Sequence, residues 1–96
     1  MTTSNELRLL PWTGPEGKPC FLSTDGSDGH VSRLADSIES VQLGVAAELL
    51  DQALDVLADA DTELDELRLL AKDLTGALRD TLRVAISRGH RLATSG

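Results

Sequence analysis

The chain has 96 residues, a formal net charge of −7 and only two aromatic side chains, Trp12 and Phe21. That length gives one small domain, whose lone core is only marginally stable and for which association is a common remedy. A core drawn from Leu, Val, Ile and Ala suits helix-on-helix packing rather than sandwiches or barrels, and the acidic balance argues against general affinity for nucleic acid or an anionic membrane.

Cys20 is alone, so it makes no internal disulfide, and no Cys/His cluster has metal-ligand spacing. The expectation is a reducing cytoplasm, with no metal and no cofactor. The opening MTTSNELRLLPW has neither the basic flank nor the apolar length of a secretory signal. No run approaches the ~18 apolar residues of a membrane span.

Residues 1–6, MTTSNE, are polar and expected to fray. Leu7 to Trp12 is a short, mostly apolar stretch, and Thr13 to Pro19 holds two glycines and two prolines. Gly supplies positive φ and Pro fixes φ while removing a donor, so that segment reads as a turn. Cys20, Phe21 and Leu22 form a second apolar stretch before a polar loop, STDGSDG. Together residues 1–29 read as a tail and a β-hairpin-like segment. An isolated two-strand ribbon is marginal in water, so it must lie on something apolar.

From Val31 the period becomes helical, with Asp28 or Ser32 available as N-cap. One apolar row is Val31, Leu34, Ile38, Val41, Val45, Leu49 and Val56; a second is Leu43, Ala46, Leu50, Leu54 and Leu57. At about 100° per residue the rows span roughly 200° of the helix, about twice what one neighbour can bury. Asp59-Ala60-Asp61-Thr62 reads as a stop and restart, with Asp61 or Thr62 capping a second helix. The second helix carries Leu64, Leu67, Ala71, Leu74, Leu78, Leu82 and Ala85, widened by Leu70, Ala77 and Ile86. Gly89 fits its C-terminal cap, and residues 93–96 are expected to be a disordered tail.

A short connection makes the two helices antiparallel over residues 30–92, each roughly 40 Å long. Folding about residue 60 places Asp55 opposite Arg68, Asp51 opposite Lys72 and Glu39 near Arg83, as flanking pairs of an antiparallel coiled coil. Gly44 and Gly76 fall at one level, where a partner would dock across the middle of the hairpin, or where a helix simply tolerates surface glycines.

Three ways of covering the excess apolar surface follow. The N-terminal ribbon folds back over it with Trp12, Phe21 and Leu22, two hairpins pair into a four-helix bundle, or a helix of another protein fits the same pattern. The second is preferred, because so short a ribbon cannot shield two long helices. Its interface residues are Leu43, Ala46, Leu50, Leu54 and Leu57, with Trp12 and Phe21. The basic end, Arg79, Arg83, Arg88, His90 and Arg91, keeps open a small DNA-associated regulator, without a helix-turn-helix or stacking platform to accompany it. No nucleophile is paired with a base, and GPEGKP lacks the spacing of a phosphate-binding loop, so no catalytic residue is assigned.

Three stretches, LPWTGPEGKPCFLSTDG at 10–26, VSRLADSIESVQLGVAAELL at 31–50 and LRVAISRGHRL at 82–92, make the chain resemble small uncharacterised actinobacterial proteins of the Streptomyces type. The resemblance implies an accessory factor to a transcriptional regulator, hence a regulatory protein partner, and it transfers no active-site motif. The function expected is therefore a non-enzymatic protein-interaction module working as a dimeric helical bundle. A structural subunit of a larger assembly would share every one of these features.

Overall fold

A computed structural model describes residues 6–24 and 29–95. Of the expected fraying of residues 1–6, the first five residues lie outside the described residues, as do much of the second loop and the candidate cap Asp28, whereas Glu6 is not frayed but opens the first strand. The order is β1 (Glu6–Thr13), a 3-10 turn (Pro15–Gly17), β2 (Pro19–Thr24), α1 (His30–Ala58) and α2 (Leu64–Ser95). The molecule is elongated, 61 × 29 × 21 Å, because two helices of about 43 and 48 Å lie side by side.

The turn between the strands is made by backbone bonds from Gly14 N to Lys18 O (2.8 Å), Gly17 N to Gly14 O (3.2 Å) and Lys18 N to Pro15 O (3.3 Å). It requires positive φ at two successive residues, Glu16 (62°) and Gly17 (75°). Gly17 adopts this freely; Glu16 pays a local steric cost that the turn imposes. The strands are antiparallel, with Arg8 opposite Leu22 and Leu9 opposite Phe21. The register then breaks, and Thr13 pairs with Pro19, so that Leu10, Pro11 and Trp12 stand against Cys20 alone. Pro11 has no N–H to give a ladder, which is why the bulge falls there.

The helical hairpin is antiparallel, as the short connection demands, but its seam is not either expected apolar row. α1 turns Ala35, Glu39, Gln42, Ala46, Leu49, Ala53 and Val56 inward, at alternating spacings of four and three. Ala35, Glu39 and Ala53 are buried and the others half-buried. α2 answers at the same spacing with Leu67, Leu70, Leu74, Ala77, Thr81 and Val84. This is a heptad seam that takes Leu49 and Val56 from one apolar row of α1 and Ala46 from the other, leaving most of each row on its own flank. Alanines let the helices approach closely, and ranking positions by hydrophobicity passes over them.

Three helix ends differ from expectation. Gly29 caps α1 with no side-chain bond, and Ser32 is engaged elsewhere. Thr62 does not cap α2: its hydroxyl donates to Val56 O (3.2 Å), closing the end of α1, while Glu63 O accepts the first bond of α2 from Leu67 N (3.1 Å). Finally, α2 passes through Gly89 and continues to Ser95, so the expected tail is helical over 93–95. No proline follows Gly89 to stop it, and the residues after it are mostly competent helix formers.

Candidate interaction surfaces

The ribbon is fastened to the start of α1 and the far half of α2 by polar groups on β1. Arg8, 5% exposed, donates to Ser32 O (3.1 Å), Ser32 Oγ (3.2 Å) and Asp36 Oδ1 (2.6 Å). Its guanidinium also lies 3.4 Å from Glu39 Oε1, and Arg88 approaches the same carboxylate at 3.8 Å. Glu39 is 1% exposed, and this cluster is what makes a buried carboxylate tolerable there. One bulge further on, Pro11 O accepts from Gln42 Nε2 (2.9 Å) and Arg83 Nη1 (3.3 Å). The carbonyl that the bulge frees from the sheet thus bridges both helices. Leu10 is buried beside these contacts.

Sequence reasoning missed Arg8, counted there only within an apolar stretch. Its signal was a lone charge in a strand, facing a helix whose first turns carry Asp36 and Glu39 three residues apart. The expected pairs Asp55–Arg68, Asp51–Lys72 and Glu39–Arg83 are not among the ion pairs of the described residues. Glu39 is held by Arg8 and Arg88, and Arg83 bonds Asp80 (3.3 Å) and the ribbon. Two of the arginines of the basic end are therefore committed within the chain.

With the ribbon at that end, the rest of the hairpin keeps two bare sides. On one, Leu50, Leu54 and Leu57 of α1 are 58%, 59% and 71% exposed, flanked by half-buried Leu43 and Ala46. By helical rotation the same side of α2 presents Leu64, Leu78 and Leu82, each more than half exposed. The strip continues across both helices for about 25 Å. The ribbon does not fold back over it. Trp12 is half-buried in a cleft with Arg79 and Arg83, and Phe21, 54% exposed, borders an apolar cavity with Leu7, Leu9 and Ile86. Of the seven expected interface residues, Leu43, Leu50, Leu54 and Leu57 lie on or beside the leucine strip, Ala46 turns into the seam within the chain, and Trp12 and Phe21 lie at two separate places on the ribbon.

The opposite side of the seam is a groove of about 590 Å³, in which Val41, Val45 and Leu49 of α1 face Gly76 and Ala77 of α2. Glu48, Lys72, Asp73 and Asp80 stand along its edges. Gly76 lines this groove, whereas Gly44 does not, so the two glycines do not form one docking point. Among the described residues no group of His, Cys, Asp or Glu is placed to hold a metal ion. Nor is any helix long and apolar enough to cross a membrane. No protein-family model, no curated protein and no solved structure matches the chain.

Proposed function

We propose that the protein is a non-enzymatic interaction module that works as a homodimer, two helical hairpins pairing through their leucine strips into a four-helix bundle. The observation that carries this reading is the uncovered line Leu50, Leu54, Leu57, Leu64, Leu78 and Leu82. A contiguous apolar strip on that scale marks an interface rather than an ordinary monomer surface. Two-fold pairing is the commonest way for one such patch to be buried by itself. A regulatory or accessory role, in which the bundle presents a docking surface to another protein, fits a fold of this kind better than chemistry does.

Because each hairpin alone has a thin core of small side chains, association contributes to folding. The midpoint of thermal unfolding then rises with protein concentration, as mass action requires when only the folded dimer is formed. Leu50→Asp removes that dependence and lowers helicity at micromolar protein. A midpoint independent of concentration over a hundredfold range in the native chain contradicts the reading.

A further inference from the structure

We infer that the groove on the side of the hairpin away from the leucine strip receives a basic amphipathic helix of a different protein. The groove runs from Val41 to Gln52, about 16 Å or three helical turns. Its floor is apolar and open: Val41 and Val45 are exposed, and α2 offers only Gly76 and Ala77 opposite them. Two parallel ridges separated by so shallow a floor are the surface into which a third helix packs its i, i+4 and i+7 side chains. An extended peptide has nothing to pair with here, since both strands lie at the ribbon end.

Gly76 leaves room for such a helix. A Cβ built there meets nothing within 4 Å, and without one the helical backbone is open to close approach on the groove side. The rim fixes the occupant's charge. Glu48 and Asp73 make no ion pair among the described residues, Asp80 is paired with Arg83, and Lys72 is the only cation lining the groove. The unpaired carboxylates Glu48 and Asp73 outnumber Lys72 along this rim, so the complementary occupant is another protein bearing Lys or Arg beside its apolar stripe. This inference stands apart from the dimer, which uses the opposite side.

The test uses the full chain and a fluorescein-labelled 18-residue peptide with Leu at heptad positions and Lys elsewhere. A control peptide has Glu in place of each Lys. Anisotropy titrations should show the Lys peptide binding at least tenfold tighter than the Glu peptide, with amide shifts in the protein confined to residues 41–52 and 72–80. Val45→Lys should weaken the Lys peptide at least tenfold, and Ala47→Lys, at an exposed position outside both the groove and the leucine strip, should leave it unchanged. The double variant Glu48→Lys, Asp73→Lys should invert the preference between the peptides, a result that loss of folding cannot produce. Equal binding of both peptides, no binding, shifts centred on Leu54 and Leu78, or an unaltered preference in the double variant would each overturn the inference. Loss of the dimer changes mass and not this preference, so the two claims fail separately.

Discussion

Arg8 ties the ribbon to α1 from one guanidinium, donating to Ser32 and Asp36 and lying against the Glu39 carboxylate. Removing one member of a buried ionic cluster leaves the opposite charge without its main partner, at a cost of several kcal/mol. Arg8→Met, which keeps the aliphatic stem, should therefore lower stability by about 3 kcal/mol in urea unfolding. Arg8→Met combined with Glu39→Leu should recover part of the loss, because no carboxylate is then left buried; a neutral Arg8→Met would show that the cluster is idle. Gly76 tests the opposite sign. Its Cβ position is open, so Gly76→Ala should stabilise by up to about 1 kcal/mol, read as a higher urea midpoint. A loss of stability there would mean that the seam needs the bare backbone.

At the scale of the elements, the seam depends on small side chains at Ala35, Ala46 and Ala53. Ala53→Leu should push the helices apart and cost about 2 kcal/mol, whereas Ala47→Leu, on an exposed position of the same helix, should be close to neutral. Circular dichroism with urea separates the two, and equal effects would place the seam elsewhere. Helix positions, the strand pair and the Gly/Pro turn were legible in the sequence, since apolar period and turn residues act locally. The seam was not, because Ala, Gln42 and Glu39 carry little hydrophobic signal and their burial depends on the partner helix and on Arg8 arriving from the ribbon. Likewise Ser32 and Thr62 looked like N-caps, but tertiary contacts draw one to Arg8 and the other to the end of α1. The groove arises from the smallness of Gly76 and Ala77 opposite Val45, a property of two elements together that no single stretch displays.

The whole molecule is an elongated hairpin closed at one end by the ribbon, with an apolar strip along one side and an acid-edged groove along the other. The excess of apolar residues on α1 was visible from its two rows, but their separation to the two flanks appears only once the seam is placed between them. That separation would let one chain associate with its copy and still present a second surface. The central claim is that the strip through Leu50, Leu54, Leu57, Leu64, Leu78 and Leu82 joins two chains, and sedimentation equilibrium tests it most directly. The account predicts, at micromolar protein, a mass twice the 10.2 kDa of the chain, falling to the single-chain value in Leu54→Asp. A native protein that sediments at 10.2 kDa across the concentration range, or a Leu54→Asp variant that keeps the doubled mass, would contradict it.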